Sequence, residues 1–508
     1  MKYTVLDYLE NTAFLHPNKI SFSDVNGSIT FSSLLCRSRS AATKLLKNAK
    51  PNDVICVYLD KSVACICAFL GAVYAGCAYS QLNLRHPPMR LKAILDVLNS
   101  PVVVTDSAHI EQLVSIGYEG KILLIDQLFS SEVDEHLLAD VRKNILDIDP
   151  LYINFTSGST GTPKGVVVNH RSVIDFISCF VEIFSIDSTD IIANQAPFDF
   201  DVSVKDIYSG IFTGAQVAIV PTQYFMQPTV LIDYICDQKA TILIWAVSAL
   251  CFLTTMNALA YRCPSTLRTI MFSGEVMPIK HLKKLQTYLP DVTYVNLYGP
   301  TEITCNCTYY IVDRQFELGE TLPIGQPFPN ERILVLDENN QSITVPNKVG
   351  ELCVSGTAVA MGYFNSYERT AVSFCQNPLN PHWLETIYRT GDLVKFNERN
   401  ELIYVSRKDF QIKHMGHRIE LGEIDAVLSA VNGIERVCCC YHHQKSKIIA
   451  FVCGTIKKDD ILDYVRDILP TYMIPNVFVQ VDNMPMNKNG KIDRAALMEV
   501  FENKGKEK

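Results

Sequence analysis

The sequence predicts an α/β fold: a large N-terminal domain of layered α/β subdomains with a β-rich subdomain, followed by a small α+β C-terminal domain. Three observations support this prediction. Apolar runs of strand length alternate with helix-length segments up to about residue 320, a pattern typical of parallel α/β layers. Short β-like segments punctuated by glycine follow up to about residue 405. The rest of the chain, about 100 residues, has the size of a small separate domain.

The N-terminal part begins with a helix-like segment, Val5 to Phe14, and a hairpin that turns at Asn26-Gly27, a dipeptide that favours tight turns. Residues 61–75 form a second helix-like segment, with small residues on the side that would pack on a sheet. Short uninterrupted apolar runs indicate strands that are buried on both faces. The buried strands predicted here are residues 54–59, 102–104, 122–125 and 151–153.

From residue 151 onward, three predicted strands end in polar turns that contain glycine. Ligands of open parallel sheets bind outside the carboxyl ends of the strands. We therefore expect these turns to form one shared site along one edge of a sheet. The strands and the turns that follow them are 151–153 with FTSGSTGTPKG (155–165), 269–272 with SGE (273–275), and 292–297 with YGPTE (298–302).

The C-terminal third of the chain changes character twice. A β-rich subdomain is predicted from residues 333–336, 350–355, 393–396 and 402–405. The composition then becomes basic after Arg407 and Lys408, and a compact module of helices and paired strands ends in a polar tip, Asn487 to Asp493. We place the domain boundary after Lys408, which predicts domains of residues 1–408 and 409–508.

The composition and charge of the 508-residue chain exclude several classes of protein. A net charge of −8 argues against a nucleic-acid binder, because phosphate neutralisation needs a basic excess. The N-terminus carries Asp7 and Glu10 and no long apolar run, so no signal peptide is predicted. The longest apolar stretch, Val63 to Gly76, is too short to cross a bilayer. We expect a soluble, cytoplasmic protein without membrane insertion.

Seventeen cysteines raise the question of a metal site. The sequence contains no C-x-x-C pair, the spacing of zinc ribbons and thioredoxin-like sites. Cys438, Cys439 and Cys440 precede His442 and His443, an arrangement that suggests metal ligands. However, these cysteines lie in a predicted strand, where neighbouring side chains point to opposite faces. We therefore expect reduced cysteines that pack as small hydrophobic residues.

The segment Phe155 to Gly165 is the clearest local signal for a ligand site. Its glycines, hydroxyl side chains and single lysine, Lys164, can surround phosphate oxygens with backbone N–H groups and one charge. The segment is not a P-loop, because Pro163 stands before the lysine where glycine is needed, and Gly165 follows where Ser or Thr would hold magnesium. Taken alone, such a stretch is more often a flexible surface loop.

Four other segments follow this loop along the chain: NLYGPTE (296–302), YRTGDL (388–393), SRKDFQIKHMGHRIELGEI (406–424) and NGKID (489–493). Together, the five segments resemble the signature motifs of the adenylate-forming superfamily, which includes acyl-CoA synthetases, luciferase and nonribosomal-peptide adenylation domains. The resemblance covers essentially the whole chain. Within the superfamily, the chain looks most like the free-standing amino-acid:carrier-protein ligases, such as D-alanine–D-alanyl carrier protein ligase.

The resemblance implies a reaction with two halves. ATP activates a small amino acid, with D-alanine as the leading expectation, and yields an aminoacyl-adenylate and pyrophosphate. The phosphopantetheine thiol of a carrier protein, encoded separately, then takes the aminoacyl group and releases AMP. ATP and Mg²⁺ are the implied cofactors. A hinge at Asp409 would let the small domain take two positions, one presenting Lys491 and one placing the loop around Gly416 against the pantetheine tunnel, where only glycine would let the backbone approach closely.

The resemblance also implies a nucleotide site. A carboxylate and a phosphate must meet, and at about 4 Å their repulsion is on the order of 4 kcal/mol at an effective dielectric constant near 20. A fixed cation removes this cost, and the implied cation is Lys491. Thr301 would bond the α-phosphate, and Glu302 would ligate magnesium, so these three are the implied catalytic residues. The other implied contacts are Asp392 and Arg407 with ribose, Tyr298 with adenine, and Thr156, Ser157, Gly158, Ser159, Thr160, Gly161, Lys164, Asn296 and Gly299 elsewhere on ATP.

The implied amino-acid pocket centres on Asp201, which aligns with the aspartate that pairs with the substrate α-ammonium in amino-acid-activating members. Acyl-CoA synthetases have no ammonium group to neutralise, so Asp201 favours an amino acid. Trp245, Met271 and Leu297 are bulky and predict a pocket for a small side chain. The other implied pocket residues are Phe200, Val202, Lys205, Ser273, Gly274, Cys305 and Asn306.

Lys205 departs from the family pattern, which usually has an apolar residue at this place. A buried lysine without a partner is costly, so we expect it to be paired. Either it pairs with Asp201 or Asp206, or it recognises a carboxylate or polar group on the substrate. Pairing within the protein is favoured, because protein partners satisfy most buried charges.

Three alternative functions remain open from the sequence. The first is a free-standing adenylation enzyme of the nonribosomal-peptide type for another amino acid. The second is an acyl-CoA synthetase for a small carboxylate, against which Asp201 argues. The third is a nucleotide-binding regulatory protein without catalysis, which is disfavoured because all the implied catalytic positions carry the required residues.

Overall fold

The computed structural model describes residues 4–156, 163–408, 411–456, 458–486 and 492–504. It confirms the predicted fold class, in which a large α/β part with a β-rich subdomain precedes a small α+β part. Helices and short strands alternate through the first part of the chain. Their bounds are α1 Val5–Leu15, β1 Ile20–Asp24, β2 Gly27–Thr30, α2 Phe31–Leu45, β3 Val54–Tyr58, α3 Val63–Tyr74, β4 Ala78–Gln81, α4 Pro88–Leu98, β5 Val102–Thr105, α5 Ile110–Ser115, β6 Lys121–Leu124, α6 Ile125–Leu128, α7 Glu135–Arg142 and β7 Pro150–Thr156.

The alternation continues through the second part of the large domain, and short strands then replace it. The elements of the second part are β8 Lys164–Asn169, α8 His170–Ile183, β9 Ile191–Asn194, α9 Val202–Thr213, β10 Gln216–Ile219, α10 Pro228–Asp237, β11 Ile242–Ala246, α11 Val247–Thr255, α12 Ala258–Tyr261, β12 Thr269–Ser273, α13 Ile279–Tyr288, β13 Thr293–Tyr298 and β14 Thr308–Ile311. The β-rich part comprises β15 Gln326–Pro327, β16 Glu331–Leu336, β17 Gly350–Gly356, β18 Gly362–Tyr363, α14 Tyr367–Ser373, β19 Phe374–Gln376, β20 Thr386–Phe396 and β21 Leu402–Arg407.

The C-terminal part contains a short hairpin and a small sheet with helices. Its elements are β22 Gln411–His414, β23 His417–Glu420, α15 Leu421–Ser429, β24 Ile434–His442, β25 Lys447–Gly454, α16 Lys458–Val465, β26 Val477–Gln480 and α17 Arg494–Lys504. Strands β24, β25 and β26 pair in that order, and β22 pairs with β23. In the β-rich part, the order is β16, β17, β20 and β19, with β21 beside β20.

Two large sheets form the core of the N-terminal domain. One has seven strands in the order β18-β8-β7-β4-β3-β5-β6, and the other has nine in the order β15-β14-β13-β12-β11-β9-β10-β1-β2. The apolar run in β3 explains its central place, because Ile55 and Val57 pack into one hydrophobic cluster while Cys56 and Tyr58 pack into another. Such a strand needs cover on both faces, as parallel α/β layers provide.

The expectation of one shared sheet edge is wrong in one respect. The loop at residues 155–165 follows β7, in the seven-stranded sheet, whereas the turns after β12 and β13 belong to the nine-stranded sheet. The site is therefore built between two sheets. Strand order depends on pairing between distant segments, and the local turn chemistry carries no information about which sheet a strand joins.

The cysteines pack as the alternation in β24 predicted. Cys438 and Cys440 lie in one hydrophobic cluster with Phe451, whereas Cys439 lies in the cluster on the opposite face. Within the described parts of the chain, all the cysteines are free thiols, and no group of three or more His, Cys, Asp or Glu side chains is placed to hold a metal ion.

Candidate active site

A narrow cavity of about 100 Å³ lies between the two large sheets and the hairpin β22–β23. Thr156 at the end of β7, Ser273 at the end of β12 and Thr301 after β13 all line it. Asp392 on β20 adds a carboxylate, and the hairpin closes the cavity. Residues from four of the five signature segments thus meet at one place.

The predicted site residues fall into three groups. Those that line the cavity are Thr156, Phe200, Asp201, Val202, Ser273, Gly274, Gly299, Thr301, Cys305, Asn306, Asp392 and Arg407. Those described by the structure but set behind the wall are Lys164, Lys205, Trp245, Met271, Asn296, Leu297, Tyr298 and Glu302. Those outside the described residues are Ser157, Gly158, Ser159, Thr160, Gly161, Asp409 and Lys491.

Glu302, the implied magnesium ligand, is buried, and hydrogen-bond donors contact both of its carboxylate oxygens. Its Oε2 accepts a hydrogen bond from Arg418 Nη1 at 2.7 Å, and its Oε1 accepts one from the Tyr363 hydroxyl at 2.8 Å. Burial alone would raise the pKa of Glu302, but the Arg418 charge and the Tyr363 hydroxyl outweigh burial and hold that pKa below its ordinary value. Glu302 is therefore ionised near neutral pH.

An ionised carboxylate is the kind of oxygen ligand that Mg²⁺ prefers, so Glu302 fits the implied metal chemically. The guanidinium of Arg418 now occupies the position from which a cation would approach Oε2. Glu302 would hold a magnesium ion there, and the charge that such an ion supplies would offset that of the ATP phosphates. Arg418 and such an ion would compete for the same carboxylate.

Asp392 and Arg407 line the part of the cavity that is expected to hold the nucleotide, called the nucleotide side below. Arg407 Nη1 donates to Asp392 Oδ1 at 2.9 Å and to the Thr390 carbonyl oxygen at 2.6 Å. The Tyr298 hydroxyl donates to the other Asp392 oxygen. The ring of Tyr298 is buried in the core of the β-rich subdomain, with Lys413 Nζ 5.2 Å from its centroid. In this arrangement Tyr298 positions the Asp392 carboxylate and packs against a lysine.

Asp201 lies at the N-terminus of α9 and lines the cavity. Burial raises the pKa of the Asp201 carboxyl group, and the Lys205 charge and a hydrogen bond from the Thr301 hydroxyl oppose that rise. Thr301 therefore touches the carboxylate expected to hold an ammonium group, while it stands at the turn expected to contact the α-phosphate. The two sides of the cavity meet at this residue.

One of the two sequence-based expectations was that Lys205 pairs with Asp201 or Asp206. The structure shows neither pair. The Lys205 ammonium donates to the side-chain oxygen of Asn306, and both residues are almost completely buried. The sequence could not reveal this pair, because the two residues are 101 positions apart and meet only when α9 packs against the turn before β14.

The turn that carries Asn306 has an unusual backbone. Thr304 and Cys305 have φ angles of +41° and +81°, in the left-handed region that β-branched residues rarely adopt. A side chain at Gly299 would bring Cβ within 2.4 Å of the Asn306 Cα, so only glycine fits there. Backbone strain of this kind persists where the surrounding structure holds it, and it is often found at functional sites.

The three bulky residues expected to restrict the pocket are core residues. Trp245 is fully buried in the nine-stranded sheet, and its indole N–H donates to the Ala193 carbonyl oxygen at 2.8 Å. Met271 and Leu297 are buried in the cluster between the sheets. Asn296, expected to contact ATP, donates instead to the Pro323 carbonyl oxygen. These residues support the wall from behind.

The hairpin β22–β23 docks on the N-terminal domain through its tip. The Gly416 N–H donates to Glu275 Oε1 at 3.0 Å, and His417 lies edge-on to the Phe200 ring. Gly416 has a φ of +81°, but an added Cβ would meet nothing closer than Ala246 at 3.6 Å. The backbone angle therefore favours glycine here, and the expected close approach to a pantetheine arm stays a prediction.

A buried ion pair joins the domains beside the hairpin. Arg90 Nη1 on α4 lies 2.6 Å from Glu423 Oε1 on α15, and both side chains are less than a tenth exposed. Glu423 lies inside the signature segment 406–424, which could have marked it. No sequence signal pointed to Arg90, since it acts through a partner that only the domain arrangement provides. Glu275 lies in the polar turn 273–275, which the sequence marked, but its partner Gly416 was not predicted.

A second cavity of about 410 Å³ lies next to the first, between the N-terminal domain and the hairpin tip. Met415 lines the second cavity, Gly416 lines the first, and His417 lines both. His86, Asp199 and Tyr472 are also shared by the two walls. The hairpin tip thus stands where the two cavities meet.

The family of the chain follows from its comparison with known proteins. The model of the AMP-binding enzyme family matches residues 9–364, and the model of the AMP-binding enzyme C-terminal domain matches residues 423–491. The chain belongs to the AMP-binding, adenylate-forming enzyme family. It is an ATP-dependent, AMP-forming enzyme that adenylates an amino acid or another carboxylate.

Proteins with similar sequences include bacterial synthases. The chain is 30% identical to tyrocidine synthase 3 of Brevibacillus parabrevis over 497 residues, which are 96% of this chain and 7% of that protein. It is 31% identical to the zwittermicin A synthase ZmaJ of Bacillus cereus over 493 residues, 95% of this chain and 92% of that protein. The chain therefore spans a small fraction of the large synthase and nearly the whole of ZmaJ.

Solved structures share the fold. The Vibrio cholerae adenylation domain AlmE, solved in complex with glycyl-adenosine-5'-phosphate, superposes with a TM-score of 0.85 at 21% identity, covering 99% of this chain and 98% of AlmE.

None of the helices that the structure describes has the length and apolar character that a membrane span requires.

Proposed function

We propose that this chain activates a small amino acid with ATP and transfers it to the phosphopantetheine thiol of a carrier protein that is encoded separately. The observation that carries the proposal is the Asp201 carboxylate, which lies in the cavity wall in contact with Thr301. A carboxylate at this place suits the α-ammonium of an amino acid and would repel a simple carboxylate. D-alanine is the reference substrate.

In the first half-reaction, the amino acid lies with its ammonium at Asp201 and its carboxylate toward Thr301. An oxygen of that carboxylate attacks the α-phosphorus of ATP, and pyrophosphate leaves. Lys491 supplies the positive charge between the two anions. Asp392 and Arg407 hold the ribose, and Glu302 would hold magnesium.

In the second half-reaction, the hairpin β22–β23 is docked as in this structure. The cavity of about 410 Å³ admits the pantetheine arm, since it shares a wall with the cavity that would hold the adenylate. The thiol sulfur attacks the aminoacyl carbonyl carbon, a thioester forms, and AMP leaves with the electrons of the broken bond. With the hairpin docked, Arg418 pairs with the Glu302 carboxylate.

The test is ATP–pyrophosphate exchange with a panel of amino acids, including both alanine enantiomers, together with acetate and propionate. We expect exchange with at least one small amino acid and none with the simple acids. Exchange with acetate or propionate and with no amino acid would establish an acyl-CoA synthetase instead. Single-turnover transfer to a phosphopantetheinylated carrier protein, compared with coenzyme A, then identifies the acceptor.

A further inference from the structure

The part of the cavity lined by Asp201 and Asn306 is called the amino-acid side. A buried cation without an ionic partner lies behind its wall. Lys205 is completely buried, and its ammonium donates to Asn306 Oδ1. Over the ranges that the structure describes, this is its one hydrogen bond, and it has no ion pair. Burial lowers the pKa of Lys205, and nearby anionic groups offset only part of that effect. An ammonium has three N–H donors, so two remain unsatisfied, which is costly in a buried place.

The Lys205 ammonium also determines how Asn306 is oriented. An ammonium donates hydrogen bonds and cannot accept them. The oxygen of the Asn306 amide must therefore face Lys205, and its –NH₂ group must point elsewhere. Asn306 lines the cavity, and its backbone is held by the strained turn at Thr304 and Cys305. This part of the wall consequently presents donors to a ligand.

The buried charges around the pocket balance before a substrate binds. Lys61 and Asp206 are linked through the Asn194 side chain. Burial lowers the pKa of Lys61 to about 7 and raises that of Asp206 to about 7. Whichever of the two holds the proton, the pair is neutral. Lys205 and Asp201 make a second balanced set. When an α-ammonium binds at Asp201, that carboxylate interacts with a second cation and compensates the charge of Lys205 less.

We propose that the substrate is a short amino acid with a carboxylate in its side chain, of which aspartate is the simplest example. Its α-ammonium lies at Asp201, while its side-chain carboxylate accepts a hydrogen bond from Asn306 and balances Lys205 one side chain deeper. This inference rests on the proposed function and replaces alanine as the leading substrate. The residues that suggested alanine, such as Trp245, are core residues behind the wall.

The first test uses the full chain in ATP–pyrophosphate exchange with aspartate, asparagine, serine, alanine and glycine, each chiral one as both enantiomers. Aspartate and asparagine have the same shape and differ in charge, so their ratio isolates the effect of Lys205. We expect kcat/KM for aspartate to exceed that for asparagine and for alanine by about tenfold or more, because the hydrogen bond from Asn306 to a charged carboxylate and the nearby Lys205 charge both favour aspartate.

The second test changes the charge of Asn306 and of Lys205, one at a time. Asn306→Asp places a carboxylate beside Lys205, which neutralises the lysine from within the protein. We expect this variant to lose the preference for aspartate over asparagine. Lys205→Met, nearly equal in size, should reduce the ratio of aspartate exchange to alanine exchange about tenfold. The matched control is Lys280→Met, an exposed lysine on α13, which should keep the wild-type preference.

Calorimetric titration of aspartate into the protein without ATP provides a readout that does not depend on turnover. We expect binding of aspartate to the wild type and about tenfold weaker binding to Asn306→Asp. Exchange with alanine or glycine but not with aspartate would refute this inference and leave the proposed function intact. Exchange with acetate and with no amino acid would refute both.

Discussion

The two sides of the cavity hold their charges in different ways. On the nucleotide side, Glu302 and Asp392 each pair with an arginine, and one of these arginines, Arg418, comes from the C-terminal hairpin. On the amino-acid side, Asp201, Lys205 and Asn306 all belong to the N-terminal domain, and the partner of Lys205 is a neutral amide. The charges of the nucleotide side therefore depend on the position of the small domain, whereas the charges of the amino-acid side all come from the N-terminal domain.

This difference predicts that variants on the two sides have different effects. Changes on the nucleotide side should alter the rate of one half-reaction equally for every amino acid. Changes on the amino-acid side should alter the choice of substrate and leave the balance between the half-reactions unchanged. A variant that changed both the rate of one half-reaction and the choice of amino acid would contradict this separation.

The largest effect is expected for Lys491→Ala. Without the cation between the two anions, adenylation should slow by about a thousandfold, which corresponds to a repulsion of about 4 kcal/mol. ATP binding should be largely kept, and the order of preference among amino acids should not change. Pyrophosphate exchange and nucleotide binding measure these effects. Lys488→Ala, at the same polar tip, is the control, and wild-type exchange rates in Lys491→Ala would refute the assignment.

A smaller effect is expected for Arg418→Met, which leaves the buried Glu302 carboxylate without its cation when the hairpin is docked. Removing one partner of a buried pair costs about 3 kcal/mol or more, so transfer to the carrier thiol should slow by about a hundredfold. Pyrophosphate exchange should stay within a few-fold of the wild type. Rapid-quench measurement of each half-reaction separates the two. Arg466→Met, an exposed arginine of the same domain, should change neither rate.

Asp201→Asn tests the amino-acid side. Loss of a charged hydrogen bond to the substrate ammonium costs about 2 kcal/mol, so KM for the amino acid should rise about thirtyfold. The KM for ATP and the ratio of transfer to adenylation should not change. Steady-state exchange at varied amino acid and varied ATP gives both values, with the exposed Asp187→Asn as control. A matching rise in the KM for ATP would show that the two sides are not separate.

The smallest effect is a pH dependence of hairpin docking. His417 stacks on Tyr472, and burial, with the nearby charges of His414, Arg90 and Arg85, lowers the pKa of His417 to about 4 from its ordinary 6.5. Protonation therefore opposes docking, and docking weakens as the pH falls from about 6.5 toward 4. We expect transfer to be about tenfold slower at pH 5.5 than at pH 7 for this reason.

His417→Phe keeps the ring and removes the titration, so the difference in slope between this variant and the wild type isolates the histidine from the ionisation of the carrier thiol. Adenylation should follow the same pH profile in both proteins. Parallel slopes for transfer would show that His417 does not titrate during docking.

Much of the fold could be predicted because its signals are local. The apolar run at β3 and the alternation in β24 each identify a strand from neighbouring residues alone, and the structure confirms both. The assignment of β7 and β12 to one sheet edge failed because sheet order depends on contacts between distant segments. The same limit applies to the site, where Lys205 was expected beside an aspartate and instead meets Asn306.

The family and the chemical type of each side chain on the nucleotide side can be read from the sequence, because signature segments keep their residues close together along the chain. What these groups touch depends on the tertiary structure. It placed Arg418 on Glu302, joined Arg90 to Glu423, and gave Lys205 a neutral partner. The physical reason is that the free energy of a buried charge depends on the groups packed around it, and packing brings together residues that are far apart in sequence.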